Sequence, residues 1–444
     1  MDIQFFGAAQ CITGSCHLVT FDHRKILLDC GLFQGKDSFT YKNDDLGFNP
    51  SEVDYVILSH CHIDHSGKIP FLIKCGFKGK IICTEPTVDL CRYILMDAAQ
   101  IFQEEDEIPL YRGEDVIRTM EHFQGFNYNE EISLWDDISV ILKDAGHVLG
   151  SAICEILIKK NNKSIYKMVY SGDIGNVNKD ILKDPQIESG ANILIIESTY
   201  GNKIHKVWDN YPKLLSIAKK TIARGGNLVI PCFSLGSTQE IIYMLNRFVE
   251  NGLLEGCHVY VDSPLASAVT EIFTKYQDYF DSAAKDLIRR GDNPLDFKDL
   301  HFVRNDDDIT TVNSGAIIIV AGGVHQGSRI NRQLMRHVGG RKNSILLTSY
   351  GGNRSVGRRL IKGYRQVEIM GRNMEVRASI FYMGGLSLHA DSQGLMNWVE
   401  KMVKKPDEVI LVHGEGKNIE TFRQTLLTKN YHVKIAEFKK KIGF

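Results

Sequence analysis

The chain has 444 residues, 43% hydrophobic and 24% charged, with 39 Gly and 10 Pro. That length asks for about two to three domains, and that composition excludes a disordered or fibrous protein. A formal net charge of −1 gives no global attraction to nucleic acid, so an anionic partner has to be met by a local concentration of basic residues.

Residues 1–7 carry no basic stretch of the kind that opens a signal peptide. No apolar run approaches the ~20 residues of a membrane span. The 10 Cys form no C-x-x-C pair and read as reduced thiols, with Cys11 and Cys16 in packing roles. A cytoplasmic protein with no membrane partner is expected.

In chain order, short β-branched runs repeatedly end at a polar residue. Residues 25–28 lead into Asp29, and 53–58 into Ser59-His60-Cys61-His62-Ile63-Asp64-His65-Ser66-Gly67. Residues 138–142 lead toward His147, 167–170 into Asp173 and 192–196 into Glu197. The pattern then changes. Strands are expected over 227–231, 258–261, 315–321 and 344–348, an amphipathic helix over 236–248, and a helix with Pro near its first turn over 264–279. The charged stretch 278–308 reads as surface helix plus loop. Strand–helix alternation predicts a parallel sheet with crossover helices, hence a second α/β module inserted into the first. Beyond it, 380–383 lead toward His389 and 409–412 into His413. Buried strands with ligands at their carboxyl ends are a common site geometry of α/β sheets.

Three imidazoles and a carboxylate within residues 60–65 form a metal-ligand density that neither a core nor a solvated loop requires. His60 and His62 project the same way from an extended backbone, and Asp64 and His65 follow the turn. One Zn²⁺ would take His60, His62 and His147. A second would take Asp64, His65 and His413, with Asp173 bridging. Two zinc ions about 3.5–4 Å apart would activate a water and clamp phosphoryl or acyl oxygens, so no Ser or Cys nucleophile is needed. Asp29 reads as an acceptor that orients a ligating His, or as a turn cap.

Asp29, H-x-H-x-D-H at 60–65, His147 and Asp173 together resemble the metallo-β-lactamase superfamily. Glu197-Ser198-Thr199-Tyr200-Gly201, Ser387-Leu388-His389-Ala390-Asp391 and Val412-His413-Gly414-Glu415 resemble the three further motifs of its β-CASP nucleases. That resemblance implies an α/β fold: a four-layer αββα metallo-β-lactamase sandwich (residues 1–204 and 384–444) with an inserted α/β β-CASP domain (205–383). It implies two zinc ions, single-stranded RNA in the cleft between the domains, and a homodimer among the allowed assemblies. Asp64, Glu197 and His389 are the residues it assigns to catalysis, His389 beside the scissile phosphate with Glu197 orienting it. Motif C is His in RNA-processing members and typically Val in the DNA-repair branch, so His413 implies RNA.

The chain departs from the family pattern at Ser237, at Gly322–Ile330 and at Leu386, positions that bear on substrate preference. Ser387, Gly323 and Arg329 would flank the substrate. From His325 to Arg377 there are twelve Lys or Arg against Glu368 and Glu375, and Gly and Ser interleave with Arg354, Arg358 and Arg359, as phosphate contact requires. Tyr350 and Tyr364 are candidates for base stacking. Two alternatives remain open on the sequence: a hydrolase of a small acyl or thioester substrate, and a non-catalytic RNA-processing scaffold.

Overall fold

A computed structural model describes residues 1–105, 108–160, 164–205, 210–303, 314–322, 328–348 and 355–444. They divide into two compact units, Met1–Ile204 with Leu388–Phe444, and His205–Ser387.

The first unit is built on two sheets of seven strands. One holds β1 (Asp2–Gly7), β2 (Cys16–Phe21), β3 (Arg24–Leu28), β4 (Tyr55–Ile57), β5 (Lys80–Thr84) and β6 (Phe123–Phe126), with β22 (Lys441–Gly443) beside β1. Pairing is antiparallel from β22 to β3 and parallel from β3 to β6. Phe21 faces Arg24 across a two-residue turn, where Asp22 takes a left-handed φ of 57° that a short polar residue tolerates. The other sheet holds β7 (Glu131–Trp135), β8 (Ile138–Asp144), β9 (Ala152–Lys160), β10 (Ser164–Tyr170), β11 (Ile193–Glu197), β20 (Glu408–Val412) and β21 (Val433–Ile435).

β11 shows why a continuous apolar strand folds here. Ile193 and Ile195 enter the core between the sheets, while Leu194 and Ile196 enter the core beneath the helices Ser392–Glu400 and Gly416–Thr428. A parallel strand covered on both faces has no polar side, and each such side chain contributes about 1.5–3 kcal/mol by leaving water. The helix Glu85–Glu105 covers β5 and β6 on the opposite flank, completing an αββα sandwich. No described helix is long and apolar enough to cross a membrane.

The second unit carries a six-stranded sheet of β12 (Leu228–Cys232), β13 (Val259–Asp262), β14 (Leu300–Phe302), β15 (Ile317–Ala321), β16 (Ser344–Leu347) and β19 (Ser379–Tyr382), ordered β14-β13-β15-β12-β16-β19. Every ladder in it is parallel, as the strand–helix alternation predicts. A separate hairpin pairs β17 (Gln366–Ile369) with β18 (Arg372–Glu375).

Four expectations change in detail. The stretch 278–308 contains the helix Ser282–Arg289 and also β14, and its last residues lie outside those described. The helix expected over 264–279 is Pro264–Lys275 followed by a separate 3₁₀ turn, Gln277–Tyr279. The helix Ser237–Glu250 is buried on nearly all sides; its polar first turn is satisfied internally, Thr238 donating to the Phe233 carbonyl and Gln239 to the Ser234 carbonyl and Thr270. Finally, the strand ahead of His389 pairs with β16 in the second unit, so it does not deliver His389 as β20 delivers His413.

Backbone stitching fixes the loops that carry Asp29 and the 60–65 motif. Asp64 and His65 accept from the Ser15 and Cys30 amides at 2.8 Å, and Ile63 from Leu32 at 2.9 Å. This close approach requires Gly31, since a Cβ there would overlap the Asp64 carbonyl. Gly31→Ala is therefore expected to lower the urea unfolding free energy by about 3 kcal/mol or more, the upper end for overpacking against atoms that cannot move. Gly443→Ala, where a Cβ meets open space, should stay within about 0.5 kcal/mol.

Candidate metal centre

Asp29, His60, His147, Asp173 and His413 follow the carboxyl ends of β3, β4, β8, β10 and β20, and Glu197 ends β11. The short helix Ile63–Ser66 carries Asp64 and His65. Their side chains converge in two groups, and Asp173, Glu197 and His413 form a third that overlaps them. His60, His62, His147 and Asp173 form one, and Asp64, His65 and His413 the other.

In the first group, His62 Nδ1 stands 3.0 Å from His60 Nε2 and 3.1 Å from His147 Nε2. Asp173 Oδ2 lies 3.5 Å from both of those Nε2 atoms. In the second, His413 Nε2 stands 3.1 Å from His65 Nε2 and 3.4 Å from Asp64 Oδ2. Asp173 Oδ1 reaches this group too, 3.3 Å from His65 Nε2 and 3.7 Å from His413 Nε2. Asp173 thus addresses one group with each oxygen.

Neighbouring hydroxyls and carboxylates decide which nitrogens face inward. Asp29 accepts from the Ser59 amide and hydroxyl at 2.7 Å, from Tyr170 Oη at 2.6 Å and from His65 Nδ1 at 2.7 Å. Because the Ser59 hydroxyl proton is spent on Asp29, Ser59 Oγ accepts from His60 Nδ1 at 3.0 Å. Thr199 Oγ1 donates to the His413 carbonyl at 3.1 Å and accepts from His413 Nδ1 at 2.8 Å. Each contact leaves an Nε2 lone pair directed at the cluster, the tautomer that ligation requires.

Electrostatics divides the imidazoles. Burial, reinforced by neighbouring imidazoles, holds His60 and His147 well below the usual histidine range, and burial brings His62 down to about 4. All three are neutral donors at pH 7. For His65 burial opposes protonation, but Asp173 and Asp29 override it and hold its pKa well above the ordinary value. Burial likewise opposes ionisation of Asp64, yet His413 and His65 keep its carboxyl well below the carboxylate range.

The donor set fits a pair of divalent cations. Buried ring nitrogens about 3 Å apart repel unless something positive lies between them. Nitrogens bound to one zinc at about 2.0–2.1 Å stand at such separations. Asp173 Oδ1 is buried without a hydrogen bond. Imidazole and carboxylate donors without thiolate suit zinc among the transition metals.

His389 belongs to a different arrangement. Its Nδ1 lies 3.1 Å from Glu197 Oε2 and 3.7 Å from Asp173 Oδ2, with 21% of the side chain exposed. Glu197 is fully buried and accepts from the Ile174 amide at 2.7 Å. Position comes from a bridge between Gly175 and His389 and from the Ala390 amide, which donates to the Ile174 carbonyl at 2.7 Å. Burial works against its protonation, but Glu197 and Asp173 raise its pKa to about 9.

Of the residues expected at the substrate, Gly323, like Arg354 and Tyr350, lies outside the described residues. Ser387 is half-buried at the last position of the second unit. Arg329 Nη1 donates to Asp262 Oδ1 at 2.5 Å, an internal ion pair that Gln333 shares. Arg358 and Arg359 are half-buried on the helix Val356–Ile361 of the second unit. Sequence reasoning missed Ser59, Tyr170 and Thr199. Ser59 adjoins His60 and Thr199 sits two residues past Glu197, so only Tyr170 depends wholly on strand register.

Residues 18–194 match the metallo-beta-lactamase superfamily domain, 238–360 the Beta-Casp domain and 373–436 the Zn-dependent metallo-hydrolase RNA specificity domain. Ribonuclease TTHA0252 of Thermus thermophilus is 32% identical over 99% of both chains. An RNase J-like protein of Methanocaldococcus jannaschii is 30% identical over 96% of this chain and 95% of its own. Transcription termination factor FttA of Methanosarcina mazei is 28% identical over 93% of this chain, which spans 66% of that relative's length. A crystal structure of a protein of unknown function from Enterococcus faecalis V583 shares the fold, with a TM-score of 0.57 at 11% identity over 99% of both chains. The chain belongs to the β-CASP family of the metallo-β-lactamase superfamily and is a metal-dependent hydrolase.

Proposed function

We propose that the protein is a zinc-dependent ribonuclease that hydrolyses phosphodiester bonds of single-stranded RNA at a two-ion centre. The observation that carries this reading is the pairing of a seven-residue ligand cluster with a separate, carboxylate-bound imidazole, His389. The match to an RNA specificity domain and the relative named a ribonuclease support RNA as the substrate.

His60, His62 and His147 would hold one ion and Asp64, His65 and His413 the other, with Asp173 common to both. When bound, the ions supply Lewis acidity toward phosphoryl oxygens and an acidified water as nucleophile. Asp29, Ser59 and Thr199 keep the ligating imidazoles in the tautomers described above. Asp64, whose side chain is 19% exposed, is the carboxylate on the open side of the second group. Glu197 fixes His389 through Nδ1 and favours its imidazolium form, whose Nε2–H passes a proton to the leaving oxygen. On the second unit, Arg358 and Arg359 would meet backbone phosphates, giving affinity without sequence reading.

Cleavage of a labelled single-stranded oligoribonucleotide should exceed that of the matched deoxyribonucleotide, stop with a chelator and return with Zn²⁺. Equal or faster DNA cleavage defeats the assignment to RNA, and activity that survives complete metal removal defeats the centre.

Two substitutions separate the roles. Asp173→Ala should lose bound zinc together with activity. His389→Ala should keep its zinc and its RNA affinity while cleaving about 10²–10⁴-fold more slowly, the range for a lost general acid. Metal analysis beside single-turnover rates decides it: a zinc deficit in His389→Ala would make that residue a ligand.

RNA affinity should fall steeply with salt as Lys and Arg release counterions from phosphates. Arg358→Glu should flatten the plot of log affinity against log salt by about one unit of slope, whereas an unchanged slope would return this helix to ordinary solvated surface.

A further inference from the structure

Behind the centre, a line of buried polar groups runs from the core between the sheets to His65. Asp29 Oδ2 accepts from Ser59 Oγ and His65 Nδ1 at 2.7 Å and from Tyr170 Oη at 2.6 Å. A carboxylate only accepts, so Tyr170 is the donor in that contact. Ser15 Oγ, 3.2 Å from Tyr170 Oη, therefore donates to Tyr170. His17 Nε2 lies 3.5 Å from Ser15 Oγ, and the His17 ring meets Tyr170 edge-on with centroids 5.5 Å apart. Burial brings the His17 pKa down to about 3, so this imidazole is neutral. Ser15, His17, Asp29 and Tyr170 are each at most 1% exposed. Hydrogen bonds in series polarise one another, and this series is directed at Asp29.

Of the three donors to Asp29 Oδ2, only Tyr170 comes from the facing sheet. It ends β10, three residues before Asp173, whereas Ser59 and His65 belong to the segment after β4. The Tyr170–Asp29 bond therefore braces His65 against the strand that delivers Asp173, whose Oδ1 stands 3.3 Å from His65 Nε2. Ser15 adds a second tie, its amide donating to the Asp64 carbonyl at 2.8 Å. The first group has a separate one, from the Ala152 amide to the Ser59 carbonyl at 2.8 Å. We propose that Tyr170, seated by Ser15, is a positioning residue that sets affinity for the ion of Asp64, His65 and His413. The proposal rests on the two-ion reading of the centre and not on the nature of the substrate. An imidazole free to tilt must be ordered when the ion binds, and outer hydrogen-bond partners of metal ligands typically carry about 10–100-fold in affinity.

Zinc-loaded protein titrated with a chromophoric chelator yields two dissociation constants, and His413→Ala identifies the one that belongs to this ion. Tyr170→Phe, which keeps the ring and removes one hydroxyl, should raise that constant about 10–100-fold and leave the other unchanged. Ser15→Ala should raise the same constant by less. Added to Tyr170→Phe it should have no further effect, since Ser15 acts through Tyr170. Unfolding of the metal-free proteins is the control for a merely structural role. Equal weakening of both constants, or a loss of metal-free stability with both constants intact, overturns the proposal. Two ions bound with unchanged constants in Tyr170→Phe overturn Tyr170 alone; a wild type that holds a single ion overturns it together with the two-ion centre.

Discussion

Lone-pair repulsion organises the first unit. His60, His62 and His147 present unprotonated nitrogens to one another about 3 Å apart, with His65, His413, Asp64 and Asp173 beside them, in a region nearly closed to water. Such a cluster destabilises the fold unless cations occupy it, so metal binding and folding are thermodynamically linked. Much of the surrounding structure holds the donors against their mutual repulsion: backbone ties between residues 29–32 and the helix Ile63–Ser66, a glycine that lets those two segments touch, and four hydrogen bonds converging on Asp29.

That arrangement explains why so much was legible in sequence. Proposed ligands at strand ends leave a local signature, an apolar run followed by His or Asp, which H-x-H-x-D-H makes dense enough to recognise. β11 and β20 were visible for the same reason, since strands buried on both faces carry no polar interruption. Cross-strand contact leaves no such mark. Tyr170 reaches Asp29 because β10 and β3 lie in facing sheets, and nothing near either residue announces it. β14 and the β17–β18 hairpin escaped because three or four residues are too few to establish a period.

The helix Ser237–Glu250 shows a different limit. Its run of Ser, Thr, Gln and Glu looks like a solvent face, yet all four are buried. Burial of polar groups is tolerable when each is matched, and the matching carbonyls of Phe233 and Ser234 lie in the turn just before the helix. Polarity alone therefore misjudged exposure, while the polar turn itself marked the helix start correctly. His389 failed in the opposite direction: its motif was clear, but the strand supposed to deliver it belongs to the other unit's sheet.

The order in which ligands occur along the chain has a consequence for biosynthesis. Residues 29–173 furnish six of the seven proposed ligands, but His413 arrives only after the whole second unit has been made, and so does His389. β20, which must pair with β11, arrives with His413. A growing chain on the ribosome, beside the messenger that encodes it, thus carries a half-built sheet and an incomplete cluster. The interruption of one unit by another delays hydrolytic competence until synthesis has passed His413, when β20 can close the centre.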